Sequence, residues 1–184
     1  MTPDELIDKL QRYRDMAVAA MPEVAMAMAD EYKDHLTHVT LRQRYAAPDQ
    51  FGTPSPPGSP VAWRTGKLAE SVTSWPGASS GMSATAHVAP HTIYAGVQEY
   101  GREIFAKRFE YMHWVNGPGD FWQARAAGGH SYSWHPTGGS WYAKRVFVPP
   151  RPYLQPALED VVADGSLLRA ASLRFRLATV GWNL

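Results

Sequence analysis

Over the first forty residues apolar side chains return every three or four positions, at Leu6, Leu10, Tyr13, Ala17, Ala20, Val24, Met28, Tyr32 and Leu36. That interval lines them up on one face of an α-helix, whereas a strand would need alternation with a period of two. A long amphipathic helix is therefore expected from Pro3 to about Leu41, within an N-terminal segment 1–45. Thr2 is placed to cap it, Pro3 suits the first helical position, and Asp4, Glu5 and Asp8 complement the positive end of the helix dipole. Pro22 is the awkward residue. Inside a helix it removes a hydrogen bond and its ring meets the preceding turn, so a kink or a break is expected near Met21. Alanine and methionine along the stripe suit close, adaptable packing by a second helix or a second subunit.

The remainder of the chain is punctuated by clusters of its 15 prolines and 15 glycines. Residues 46–63 hold Pro48, Pro54, Pro56, Pro57 and Pro60, a composition that reads as a loop or extended arm. A short helical turn over Thr65–Glu70 leads into a run at Ser71–Trp75, a turn at Pro76-Gly77, and a second run, Met82–Val88. In the second run Met82, Ala84, Ala86 and Val88 alternate with polar residues, so the pair reads as a hairpin. Tyr94–Tyr100 reads as a short helix ended by Gly101 in a left-handed cap. Segment 102–148 is rich in aromatic residues and turn-forming glycines, the pattern of twisted antiparallel strands. After Pro149, Pro150 and Pro152, Leu154, Leu158, Val161 and Val162 are expected to form the apolar face of a helix. A third helical stretch, Leu167–Leu177, lies in a C-terminal extension, 165–184. The core is thus expected over 64–164, in a single α+β domain: a long N-terminal helix on a twisted antiparallel sheet, closed by a C-terminal helix and carrying extended arms.

Composition removes several classes of function. A chain of 184 residues can bury a real core without staples, and the absence of cysteine excludes disulfides, thiolate metal sites and cysteine nucleophiles. Lys and Arg together exceed Asp and Glu by one, so the whole chain has no strong pull toward nucleic acid. The start is acidic where a secretory signal would be basic, and no stretch approaches the roughly 20 apolar residues that span a bilayer. Synthesis in the cytoplasm and no membrane partner are the expectation.

Candidate chemistry is sparse. His35 and His38 stand one helical turn apart, and His87 and His91 flank a strand end, yet two imidazoles bind zinc only if further ligands converge. There is no HExxH string, no Gly-x-Ser-x-Gly elbow and no phosphate-cradling loop. Glu99, Glu103 and Glu110 offer an acidic cluster without a second motif to give it a task. No catalytic, cofactor or metal residue is expected. Lys107, Arg108, Lys144 and Arg145 lie among the aromatic residues of 102–148 and are the candidate charges for an interface or a DNA channel. Repeated around a ring they would contact phosphates of double-stranded DNA without reading sequence; stacking of the rings on a single strand is the alternative.

Three strings carry a resemblance. Thr65, Gly66, Leu68 and Ser71 fit "TGxLxxS". Tyr94, Ala95, Glu99 and Gly101 fit "YAxxxExG". Pro152, Tyr153, Leu154, Pro156, Ala157 and Leu158 fit "RPFLxPAL", with Tyr153 in place of the usual Phe. In this order they resemble the small neck and tail-completion proteins of long-tailed double-stranded DNA bacteriophages, the Hong Kong 97-type family. The resemblance covers 65–158 and leaves the proline arm, the aromatic insertion and the tail unexplained. Tyr100 also replaces a usual Phe, and Arg102 stands where many members have Thr.

The resemblance implies a structural virion protein, a subunit of a head-tail connector ring, usually a hexamer, closing around the DNA path of the viral tail. Its implied partners are copies of itself, the neighbouring connector or stopper, and the tail terminator or tail tube proteins. A tail terminator ring is the near alternative; a small metal-dependent hydrolase is the alternative of another class. On the resemblance the matched residues are framework: Gly66 and Gly101 permit tight backbone, Leu68, Leu154 and Leu158 anchor the core, and Pro152 with Pro156 set the approach of the last helix.

Overall fold

The periodic segment at the chain start forms one helix, α1, Pro3–His38. The computed structural model describes residues 2–42, 58, 66–105, 112–115, 133–135, 140–143 and 145–180. The start of α1 is closed by a reciprocal capping box. The Glu5 backbone N–H donates to Thr2 Oγ1 at 3.2 Å, and the Thr2 N–H donates to Glu5 Oε2 at 2.6 Å. Of the kink or break expected near Met21, the break does not occur, for α1 continues through Pro22 as a 36-residue helix. An interior proline costs about 3 kcal/mol, and packing offsets it here: Ala17, Ala20 and Val24, on either side of Pro22, are buried.

The stripe itself is only partly used. Ala17, Ala20, Val24, Ala29 and Leu36 are buried, whereas Leu6 and Leu10 are 39% and 51% exposed. Its first three turns thus have the core pattern without a core to meet.

Two strands form the hairpin: β1, Val72–Ser80, and β2, Ser83–Pro90. They pair antiparallel with Val72 opposite Pro90, and the register slips between Pro76 and Ser79. The turn falls at Gly81-Met82, not at Pro76-Gly77 as the sequence suggests. A bulge absorbs the proline within β1, and Gly81, with φ 54°, takes the left-handed position. Met82 lies in that turn, 61% exposed, outside the alternating series. One hairpin face packs on α1, where Ser74 Oγ donates to Asp30 Oδ1 at 2.6 Å.

Two helices end the chain, α4, Leu154–Ala163, and α5, Ser166–Ala178. α5 packs along α1, and Arg174 Nη2 meets Glu23 Oε2 at 2.9 Å. Both groups are about half exposed, so the pair contributes at most about 1 kcal/mol. On α4 the expected face is only half right. Ala157 and Val161 are fully buried, but Leu158 and Val162 are 45% and 61% exposed. Leu158 is therefore not a core anchor, because the buried stripe runs through positions 153, 157 and 161, one step round the helix from it.

The chain divides into two compact units, one of Met1–Val39, Ala69–His91 and Ala157–Leu184, the other of Thr40–Leu68 and Thr92–Pro156. The first is the helix-on-hairpin layer just described, an α+β arrangement. The second holds α3, Ala95–Tyr100, and the remaining strands. Strand β3, Arg102–Phe105, pairs antiparallel with β7, Arg145–Val148. The other three are β4, Met112–Val115, β5, Ser133–His135, and β6, Ser140–Ala143, ordered β4-β6-β5. Among the described residues the strands thus form three small antiparallel sheets. Phe105 and Phe147 are 56% and 37% exposed, so these two rings of the aromatic segment do not fill a core.

Candidate functional site

The second and third strings, more than fifty residues apart, meet around one carboxylate. α3 presents Glu99, 7% exposed, to the start of α4. Glu99 Oε2 accepts the backbone N–H of Tyr153 at 2.8 Å and that of Leu154 at 3.1 Å. A helix start leaves N–H groups without intrahelical partners and carries partial positive charge, so an acidic side chain from elsewhere in the chain is a strong cap. Charge-assisted bonds of this kind are about twice as strong as neutral ones, which offsets the cost of withdrawing a carboxylate from water.

The rest of the joint is built from the same two strings. The Arg151 N–H donates to Gln98 O at 2.6 Å, and the Tyr153 hydroxyl donates to Ala95 O at 3.3 Å. Tyr153 is fully buried. A phenylalanine there would supply the ring without the hydroxyl contact. Gly101 ends α3 with φ 67° and ψ 154°, not the left-handed cap expected, in a region open almost only to glycine. A Cβ on Gly101 would stand 2.8 Å from Pro150 Cδ and 2.9 Å from Val148 O. The glycine of the second string therefore lets the chain before the third string come close. Pro152, Leu154 and Pro156 are half-buried and Ala157 is fully buried.

Gly66, with φ 75°, precedes α2, Lys67–Glu70, where Leu68 is buried. Ser71 O accepts the His91 N–H at 3.1 Å. Thr65 lies outside the described residues, as do Lys107, Arg108 and Lys144. Arg145 sits on β7 with Nη1 3.6 Å from Glu103 Oε1, so its charge is answered within its own sheet. Of the proposed acidic cluster, Glu99 caps α4 and Glu103 meets Arg145, and Glu110 lies outside the described residues.

The histidines also take separate roles. His35 Nε2 lies 3.5 Å from Asp160 Oδ2. On the outer face of the hairpin Trp75 stacks on His87 at 5.5 Å between centroids and lies 5.8 Å from His91, whose Nε2 is 2.6 Å from Thr73 Oγ1. Among the described residues no group of three or more His, Asp or Glu side chains is placed to hold a metal ion. No described helix is long and apolar enough to cross a membrane.

One contact that the sequence did not advertise is the tie between α1 and the hairpin. The Ser74 hydroxyl beside Asp30 holds its carboxyl below the usual range, burial opposes this, and Lys33 Nζ at 3.3 Å assists. Its partners are 44 positions apart and belong to no motif, so no local signal could have shown it. Comparison with protein-family models, with curated proteins and with solved structures gave no match.

Proposed function

We propose that this chain is a structural subunit of the neck of a long-tailed phage particle, a tail-completion ring component joining head and tail around the DNA. The observation that carries the reading is the unburied apolar surface of the helices. Leu158 and Val162 on α4, Leu173 and Leu177 on α5, and Leu6, Ile7 and Leu10 on α1 are each between 39% and 61% exposed. Apolar side chains left bare on three helices are candidates for burial by a partner. The joint of the second and third strings supports the same reading. Its carboxylate is spent on two backbone donors and its tyrosine on a carbonyl, which makes a clasp for the fold. A ring needs one face of each subunit to fit a different face of the next, with a rotation that closes.

Mass measurement of the purified protein, alone and mixed with the connector and tail proteins of the same particle, tests the proposal. The expected result is a monomer or weak oligomer that gains a fixed stoichiometry in the mixture. A single chain that ignores those partners, or stoichiometric zinc that survives dialysis, defeats it.

A further inference from the structure

We infer that the outer edge of β2 pairs with the β2 edge of a second copy, so that two hairpins join into one four-stranded antiparallel sheet. The inference goes beyond the assembly reading above and does not depend on it, because it concerns the chain before any other protein is present.

The ladder of the hairpin fixes which backbone groups point outward. The His91 N–H donates to Ser71 O at 3.1 Å, so these two form a hydrogen-bonded pair, and along the register so do Thr73 with Ala89 and Trp75 with His87. The intervening pairs are Val72 with Pro90, Ser74 with Val88 and Pro76 with Ala86, whose backbone groups face away from the opposite strand. Both prolines thus stand where a missing N–H costs the ladder nothing. On β2 the outward groups belong to Ala84, Ala86 and Val88, and among the described residues none of these groups has a hydrogen-bond partner.

The two edges of the hairpin are guarded differently. Unpaired edges are commonly blunted by a proline, a bulge or a charged side chain. The β1 edge has Pro76 and the bulge that precedes Ser79. β2 has no such guard before Pro90, and no Asp, Glu, Lys or Arg occurs from Ser71 to Gln98.

This difference selects the occupant. A head-to-tail contact would set β2 of one copy against β1 of the next, where the proline and the bulge leave only Val72 and Ser74 with both groups to offer. β2 against β2 about a two-fold axis is antiparallel and self-complementary. Centred on Ala86, it sets Ala84 opposite Val88 of the second copy and Ala86 opposite its own counterpart, so each outward N–H meets an outward C=O. Centred on His87 it would bring in Pro90, which has no N–H to give, and centred on Thr85 it would shorten the overlap. A strand edge buries less than the roughly 1,200–2,000 Å² of a stable interface, so the dimer is weak and opens readily.

The chain has no cysteine, so introduced thiols report on this contact without background. In the Ala86-centred register Thr85 stands opposite His87 of the second copy in a pair without hydrogen bonds, about 4.5 Å apart at Cα, within the span of a disulfide. Like positions are offset by roughly 7–8 Å, beyond that span. Thr85→Cys and His87→Cys, made as separate full-length variants and oxidised after mixing, are expected to link 85 to 87 at about tenfold the yield of either variant oxidised alone. Sedimentation of the wild type should show mass rising toward twice that of the chain as concentration increases. Ala86→Pro removes an outward N–H and leaves the hairpin's own ladder whole. Its unfolding midpoint should stay near that of the wild type while dimer affinity falls at least about tenfold.

No 85–87 link, or equal linking in one variant alone, overturns the inference. So does a wild-type chain that remains a monomer at the highest soluble concentration, which would leave β2 to an extended strand of another protein. Dimer affinity untouched by Ala86→Pro overturns it as well; should that variant fail to fold, the thiol pair still decides. None of these results touches the fixed stoichiometry expected with connector and tail proteins, which tests the assembly reading separately.

Discussion

Tyr153, Ala157 and Val161 recur every four residues at the start of and along α4, and each is fully buried, whereas the neighbouring series Leu154, Leu158 and Val162 turns from half-buried to 45% and 61% exposed. The outer series is the more apolar of the two, so hydrophobicity did not choose between them. The buried series is the one that begins at the Glu99 clasp. Tyr153 has a partner for its N–H in Glu99 and for its hydroxyl in Ala95 O. The buried series on this helix begins at its polar anchor, and the greasier side is left bare.

The sharpest way to break this contrast is to remove the ring of Tyr153. Tyr153→Ala should cost about 3–5 kcal/mol of stability in urea denaturation, as for other large-to-small changes at full burial. Tyr153→Phe, which loses only the bond to Ala95 O, should cost about 0.5–1.5 kcal/mol. If Tyr153→Ala cost no more than Leu158→Ala, the contrast between the stripes would be empty.

Next in size is the clasp. Glu99→Ala leaves the N–H groups of Tyr153 and Leu154 without their acceptor and should cost about 2–4 kcal/mol, with Glu99→Gln recovering part of it by keeping an oxygen in place. Thermal unfolding of the three proteins side by side would show the ordering. Equal loss in both variants would mean that the charge, and not the acceptor geometry, holds α4.

Smaller again is the tie between α1 and the hairpin, a clasp at the surface. Asp30 has its folded pKa lowered, chiefly by the Ser74 hydroxyl. A depressed carboxyl contributes stability that is present above its unfolded pKa and lost as pH falls through the folded one. Ser74→Ala should therefore be less stable than the wild type by up to about 1 kcal/mol at neutral pH, with the gap closing below about pH 4. A gap that stayed constant down to pH 2 would remove Asp30 from the account.

The smallest expected effect on stability belongs to the outer stripe. Leu158→Ala and Val162→Ala should each move the unfolding midpoint by the equivalent of no more than about 0.5 kcal/mol. The same variants should weaken association in sedimentation measurements. Losses of 2 kcal/mol or more would show that these side chains belong to the core after all.

Much of the fold was legible from local chemistry. The three-or-four-residue spacing of Leu6 to Leu36, with Thr2 and Glu5 at its head, specifies α1 because helix periodicity and capping are properties of neighbouring residues. The alternation at Ala84, Ala86 and Val88 likewise specifies β2. Neither Pro22 nor Pro76 ends its element, for one reason. Each does carry the local cost assigned to it, but packing around Pro22 and a bulge after Pro76 absorb that cost, and neither is visible in a window of ten residues. The candidate site was legible as two strings. That they meet on the Glu99 carboxylate was not, since Glu99 and Tyr153 are 54 positions apart and a carboxylate in sequence reads as surface.

Residue order by itself determined that α1, β2 and the C-terminal helices form, that Thr2 and Glu5 cap α1, and that cysteine chemistry is absent, because these depend on φ and ψ preferences and on contacts within a few residues. The tertiary structure alone decided which apolar side of a helix is core and which is left bare. Leu6 and Leu10 continue the pattern of Ala17 and Val24, yet only the latter pair is covered. Burial requires another element to arrive from far along the chain, and periodicity sets the direction of an apolar face but says nothing about what stands opposite it.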